Sequence, residues 1–153
     1  MANALGKIGT MLKNMLLGRK RVAHHMQAGE RYRLENGKRP GVTTTKGGLQ
    51  WEVLREGSGA RPGFSGRVTV HYRGSLVNGV EFDSSYGRGQ PFTTGLLDVI
   101  SGWREGLQLM SEGSVYRFVI PPEQAYGGTG AGLLIAGGST LIFEVELIKV
   151  EQA

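Results

Sequence analysis

Between two regions of strand-like alternation lies one short stretch with helical spacing, Asp98 to Met110, DVISGWREGLQLM. Ile100, Trp103, Leu107 and Met110 recur at intervals of three, four and three, which puts them on one face of a helix. Asp98 offers an N-cap. A helix this short is marginal alone, so its apolar face needs a cover. The flanking sequence supplies strands for that purpose. The spacing therefore predicts an α+β fold, an antiparallel half-barrel sheet wrapped around one short helix.

The strands follow from period-two patterning. Leu49, Trp51 and Val53 alternate with Gln50 and Glu52. Val68, Val70, Tyr72 and Leu76 alternate with Thr69, His71 and Arg73. Asn78-Gly79 then predicts a type I′ hairpin, in which both central residues take positive φ. Val80 to Asp83 returns as the partner strand, with Phe82 in phase. Ser84 to Gln90 reads as a loop, and Pro91 to Leu97 as short and extended. Ser114 to Ile120 is a strand stopped by Pro121-Pro122. A Gly-rich loop fills 123–139, and Thr140 to Val150 is the last strand.

The front of the chain differs. Residues 1–45 hold 9 Lys/Arg against 2 Glu, a balance of +7, and residues 46–153 hold 9 against 11, or −2. Charge is thus concentrated in an arm rather than in the folded part. Leu5, Ile8, Leu12, Met15 and Leu16 share a helical face over 4–17. A second helix is expected near 20–35, broken by Asn36-Gly37 and Pro40-Gly41, with 36–46 as a linker. The expected division is a basic, partly helical arm at 1–46 and a globular domain at 47–153. No apolar run approaches the roughly 18 residues of a membrane span. Lys7, Lys13 and Asn14 interrupt what a secretory leader would keep apolar. The expectation is a cytoplasmic protein, or a periplasmic one if a leader was removed.

Several kinds of chemistry find no support. The chain has no cysteine, which rules out thiol catalysis and Cys-based metal sites. Its three histidines do not suggest a metal site: His24 and His25 are adjacent and diverge, and His71 lies on the polar phase of a strand. No G-x-S-x-G occurs. Glu81 and Asp83 share one side of a strand near Arg88, which suits a structural ion pair. The stretch GGTGAG at 127–132 lacks a Walker lysine and a strand-to-helix switch. No cofactor is expected. What remains is an in-phase apolar set: Tyr72, Phe82, Phe92, Val99, Ile100, Trp103, Tyr126, Leu134, Ile135 and Phe143. On pattern alone a closed core is the plainer reading. Two details argue for an open pocket. Tyr126, Leu134 and Ile135 sit in a Gly-rich loop, and Asp83 directly follows the inward Phe82.

The motifs Val70-His71-Tyr72-Arg73-Gly74, Phe82-Asp83-Ser84-Ser85, Pro91-Phe92, Val99-Ile100-x-Gly102-Trp103-x-Glu105-Gly106, Pro122 to Tyr126-Gly127, and Thr140-Leu141-x-Phe143-x-Val145-Glu146-Leu147 occur in order between about Gly47 and Val150. Together they resemble the FKBP-type peptidyl-prolyl cis-trans isomerases. The resemblance implies a folding helper that accelerates X-Pro bond rotation without covalent chemistry. It implies catalytic roles for Tyr72, Asp83, Trp103, Tyr126 and Phe143. It implies substrate contacts from Phe82, Arg88, Phe92, Val99, Ile100, Leu134 and Ile135. Trp103 becomes the floor under the proline ring, and the Ile100 N–H and Tyr126 hydroxyl the donors to ligand carbonyls. Ala136-Gly137-Gly138 stands where the family often has a Pro-Pro pair, and Thr94 where many relatives have Phe.

Expected partners are unfolded or partly folded proline-containing polypeptides and, by the same resemblance, macrolides like FK506 or rapamycin. The +7 arm leaves room for an acidic partner such as nucleic acid, ribosome or membrane, and the stretch 41–59, which resembles the entry to the domain in dimeric bacterial relatives, leaves room for a homodimer. The competing function is a proline-segment binding module or holdase chaperone targeted by that arm.

Overall fold

The computed structural model describes residues 4–152. Residues 1–3 of the expected arm and residue 153 of the expected domain lie outside the described residues. In chain order the elements are helix α1 (Ala4–Gly37) and strands β1 (Thr43–Thr44), β2 (Gln50–Arg55), β3 (Arg67–Leu76) and β4 (Glu81–Ser84). A four-residue helix α2 (Ser85–Arg88), strand β5 (Phe92–Gly95), a 3-10 turn at Leu96–Asp98 and helix α3 (Ser101–Leu107) come next. The chain closes with β6 (Val115–Ile120), a second 3-10 turn at Pro122–Gln124, and β7 (Leu141–Gln152).

The period-two runs fold as strands of one antiparallel sheet, ordered β1-β2-β6-β7-β3-β4, with β5 also paired to β3. The sheet wraps α3, as the patterning implied. Alternation puts Val68, Val70 and Tyr72 of β3 inside, with Leu141, Phe143, Val145 and Leu147 of β7 and Phe118 and Ile120 of β6. From the helix side Trp103, Leu107 and Met110 fill the same core. Two glycines let α3 lie close to the sheet. A Cβ on Gly102 would stand 2.5 Å from Ile120 Cγ2, and one on Gly106 would stand 2.6 Å from Phe118 Cε1.

The helix is shorter than its spacing predicts. It spans 101–107, not 98–110, and Asp98 does not cap it. Asp98 instead ends the 3-10 turn, and Val99 is extended at φ −120°, ψ 167°, which separates turn from helix. Past Leu107 the chain tightens, with Leu109 N–H donating to Gly106 O and Met110 N–H to Leu107 O. The hairpin also differs from its prediction. Only Gly79 takes positive φ (90°), and Gly79 N–H donates to Leu76 O. A three-residue loop with one glycine in the left-handed region therefore replaces the type I′ turn.

The arm is one 34-residue helix rather than two shorter ones. Gly6, Gly9 and Gly18 do not break it, and the reason is partly tertiary. From Gly18 onward a stripe made of Val22, His25, Ala28, Gly29, Tyr32, Arg33 and Asn36 loses exposure at helical spacing. That stripe is docked on the sheet. Asn36 Nδ2 donates to Gln50 Oε1 (2.8 Å), Gln50 Nε2 to Arg33 O (2.7 Å) and Arg117 to the Tyr32 hydroxyl (2.5 Å). Arg33 also donates to Thr140 Oγ1. Residues 4–17 are exposed throughout. The segment read as a linker, 36–46, carries β1, whose Thr43 and Thr44 pair with Trp51 and Gln50. Among the described residues no helix is long and apolar enough to cross a membrane.

Candidate functional site

The inward face of the sheet opens at one end into a cleft of about 490 Å³. Tyr72 of β3, Phe82 and Asp83 of β4, Phe92 of β5 and Phe143 of β7 line its walls. Asp98, Val99 and Ile100 line it from the turn before α3, Trp103 from α3 itself, and Tyr126 from the loop after the second 3-10 turn. The size suits a small side chain or ring system.

Trp103 forms the base, nearly buried, because α3 begins where the cleft ends. Tyr72 meets it edge to face at 5.0 Å between centroids, Phe143 at 5.3 Å and Phe92 at 6.4 Å. Phe82 meets Phe143 at 5.5 Å and 88°. These T-shaped contacts fix ring orientation beyond what burial alone would do. Gly74 makes the Phe82–Phe143 pair possible, since a Cβ there would stand 2.7 Å from both rings.

The polar wall is a three-residue cluster. The Tyr72 hydroxyl donates to Asp83 Oδ2, Arg88 donates to Asp83 Oδ1, and a second Arg88 nitrogen donates to the Tyr72 hydroxyl at 3.0 Å. The Ser84 N–H adds a bond to Asp83 Oδ1 at 2.8 Å. Burial works against ionisation of Asp83, but the bonds from Tyr72 and Arg88 and the guanidinium charge outweigh it. The carboxyl is held below its ordinary value. Burial, then the bond to Asp83, pushes the Tyr72 phenol above its ordinary value.

Helix α2 explains how Arg88 reaches this cluster. Ser84 Oγ accepts from Gly87 N–H at the start of the turn, and Gly89, at φ 72°, closes it. Sequence reading treats this segment as a loop and misses Ser85. That buried hydroxyl accepts the Tyr72 N–H at 2.7 Å and shares a hydrogen bond with His71 Nδ1 at 2.8 Å. It pins the backbone that carries Tyr72. Glu81, paired on paper with Asp83, bridges to Arg73 instead.

The Val99-Ile100 segment is held from below. Arg104 donates to Leu96 O at 3.0 Å and to Val99 O at 3.4 Å. The Ile100 N–H finds no acceptor among the described residues. Tyr126 is 42% exposed, and its hydroxyl has no hydrogen-bond partner among the described residues.

Of the residues singled out in the sequence, the cleft gathers Tyr72, Phe82, Asp83, Phe92, Val99, Ile100, Trp103, Tyr126 and Phe143. Arg88 stands behind the cleft wall and acts through Asp83 and Tyr72. Leu134 does not reach it and is half exposed near the tip of the loop. Ile135 packs partly buried against the core. Asp98, assigned in sequence to helix capping, lines the cleft instead. Its place was hidden because the helix starts three residues later than its spacing suggests.

The family described as FKBP-type peptidyl-prolyl cis-trans isomerase matches residues 59–148. The family described as the domain amino-terminal to it matches residues 1–53. An FKBP-type 22 kDa peptidyl-prolyl cis-trans isomerase of Escherichia coli is 48% identical over 80% of this chain and 59% of its own length. The isomerase FkpA of Aeromonas hydrophila is 44% identical over 87% of this chain and 49% of its own. The chain thus spans roughly half the length of the curated relatives it matches. In three dimensions it is similar to the crystal structure of FkpA from Escherichia coli, with a TM-score of 0.90 and 40% identity over 97% of this chain and 70% of that one. A peptidyl-prolyl cis-trans isomerase from Pseudomonas syringae gives 0.79 and 41%, over 85% of this chain and 96% of its own.

Proposed function

Because the chain belongs to the FKBP-type peptidyl-prolyl cis-trans isomerase family, we propose that it isomerises X-Pro bonds in unfolded or partly folded polypeptides, in the cleft floored by Trp103. The observation that carries this reading is the pairing of an aromatic floor with two unused donors at the rim, the Ile100 N–H and the Tyr126 hydroxyl.

Rotation about X-Pro faces a barrier of about 18–20 kcal/mol, because the planar amide must lose conjugation. Uncatalysed, it takes tens of seconds. No bond forms or breaks. The proline ring sits on Trp103 between Tyr72, Phe92 and Phe143. The Ile100 N–H holds the carbonyl on one side of the ring and Tyr126 the other, which fixes the flanks while the amide turns. The twisted amide is less polar than the planar one, so an apolar cleft binds it better than either planar isomer. That difference in binding lowers the barrier. Asp83, an ionised carboxylate oriented by Tyr72 and Arg88, sets a fixed negative field to which the electropositive carbon of the turning carbonyl can align. Leu134 and Ile135, on the loop beyond Tyr126, contact longer substrates outside the cleft. The aromatic cleft also suits a macrolide of the FK506 or rapamycin kind.

A protease-coupled or exchange-spectroscopy assay on Ala-Xaa-Pro peptides tests the reading. Catalysis above the uncatalysed rate is expected, with loss when Tyr72, Asp83 and Trp103 are replaced together. Undiminished catalysis in that triple variant would exclude the cleft as the site.

The arm carries a separate reading. The exposed apolar residues Leu5, Ile8, Leu12, Met15 and Leu16 support pairing with a second copy of the chain. The basic residues between them support an acidic partner. Sedimentation at low and high salt separates the two, since apolar pairing survives salt and charge pairing weakens. A cytoplasmic site of action fits the interrupted apolar run, a periplasmic one fits removal of a leader, and cell fractionation decides.

A further inference from the structure

Helix α1 touches more than the back of the sheet. Its docked stripe starts at the loop that leads out of the cleft. Val22 and Met26 lie over Gly137 and Gly138 so closely that a Cβ on Gly138 would stand 2.7 Å from Val22 O and 2.8 Å from Met26 Cγ. A Cβ on Gly137 would stand 3.2 Å from Val22 Cγ2 and would run into Gly128 O. Only glycine allows this approach, and Gly138 also takes φ 82°.

The contact continues through the loop by backbone bonds. Gly138 N–H donates to Gly127 O at 2.8 Å, and Gly127 N–H donates to Pro122 O at 2.8 Å. Gly130 N–H donates to Tyr126 O at 3.1 Å. Ala131 and Ile135 close the tip on each other. A path of direct contacts therefore runs from Val22 and Met26 through Gly138 and Gly127 to Tyr126 at the cleft rim. The far end of the docked stripe is fixed independently, by Asn36 on Gln50 and by Tyr32 under Arg117.

We infer that Val22 and Met26 are positioning residues for the cleft: seated on Gly137-Gly138, they hold the 126–138 loop so that Tyr126 meets the substrate. The inference rests on the isomerase reading for its kinetic consequence, but the mechanical coupling stands apart from it. Neither side chain touches substrate. Their effect is on where the Tyr126 hydroxyl waits, which is a binding effect shared by substrate and transition state.

The test uses the full chain. Val22→Asp with Met26→Asp places charge on the contact, and Val22→Ala with Met26→Ala removes its side-chain part, leaving the Val22 carbonyl against Gly138, while favouring helix. Val22→Ile is the conservative control. Two readouts are taken: amide hydrogen exchange at Gly127, Gly130, Ile135 and Gly138, and KM and kcat on an Ala-Xaa-Pro peptide. The acidic pair is expected to speed exchange at Gly138 and Ile135 by about tenfold or more as local opening becomes easier. It is expected to raise KM about three- to tenfold with kcat nearly unchanged, the sign of lost uniform binding. The alanine pair should shift both in the same direction by less, and Val22→Ile should match the parent chain. If the acidic pair misfolds by circular dichroism, the alanine pair decides. Loop exchange unchanged while helix amides at 22–33 exchange faster would overturn the coupling. A loosened loop with KM and kcat both unchanged would overturn the positioning role. A parent chain that fails to isomerise defeats the functional reading instead, and the exchange data still decide the coupling.

Discussion

The ring of Tyr72 stands on edge over the indole of Trp103, centroids 5.0 Å apart and planes at 85°. One residue thus joins the floor of the cleft to its polar wall, because the same Tyr72 ends in the hydroxyl that Asp83 and Arg88 share. Trp103 is 4% exposed, and its buried indole N–H has no acceptor among the described residues. Trp103→Phe removes that unpaired donor and keeps an aromatic floor, whereas Trp103→Ala leaves a void. The alanine variant should lose about 3–5 kcal/mol of stability. The phenylalanine variant should lose less than half of that and retain measurable isomerisation. Urea unfolding with the peptide assay checks both.

Tyr72→Phe removes the hydroxyl without touching the packing of the ring. Asp83 keeps Arg88 and the Ser84 N–H. A hydrogen bond to a charged group contributes about 1.5–3 kcal/mol net; because Asp83 keeps its other two partners, only part of this reaches the site, and kcat/KM should fall about two- to tenfold. Thermal unfolding should shift by only a few degrees. A loss of a hundredfold or more would mean that the hydroxyl itself contacts the reacting amide.

The pH dependence follows from the two shifted groups. Asp83 is depressed, so its ionised contribution is complete above the ordinary carboxylate pKa and is lost as pH falls through the lower folded value. Tyr72 is raised, so the phenol stays protonated beyond its ordinary range. Neither changes charge from about pH 5 to about pH 9. On a neutral peptide kcat/KM should therefore vary by no more than about twofold across that window. A bell-shaped profile abolished by Asp83→Asn would show that Asp83 transfers a proton.

Gly74→Ala tests how tightly the wall is built. The added methyl meets Phe82 and Phe143 at 2.7 Å, so the rings must shift toward the cleft and their T-shaped contact must change. Overpacking of this kind costs about 1–3 kcal/mol. The cleft should also change shape, so KM on a bulky Xaa-Pro peptide should rise more than KM on Ala-Ala-Pro.

The sheet was legible because its signal is local. Period-two burial in β3 and β7 follows directly from alternation along each strand. The α3 stripe was legible in phase, and Leu107 and Met110 are buried as that phase requires. Its ends were not, because the extended Val99 and the tightening after Leu107 depend on what packs around them. The continuity of α1 was hidden for a similar reason. Gly18 lowers helix propensity, and the docking partners of the stripe, Gln50, Arg117 and Thr140, are far away in sequence. Ser85 was hidden because a serine in a polar loop carries no sign that its hydroxyl will meet a backbone N–H thirteen residues earlier. The aromatic cleft residues were legible as a set, through alternation and family resemblance together. Leu134 shared the apolar signal and ended in solvent, since nothing in a Gly-rich loop fixes which side chains turn inward.

The unsupported half of α1 has a geometric consequence. Residues 4–17 continue the docked helix without a break, and at about 1.5 Å per residue they add about 20 Å of exposed helix. A continuous helix is stiff over that distance, so the cleft rides at the end of a strut rather than on a tether. Whatever grips the first turns determines both the standoff of the cleft and the direction in which its mouth faces. Inserting one residue between the two halves would turn the grip by about 100° relative to the cleft, and inserting four would nearly restore the angle while lengthening the strut by about 6 Å.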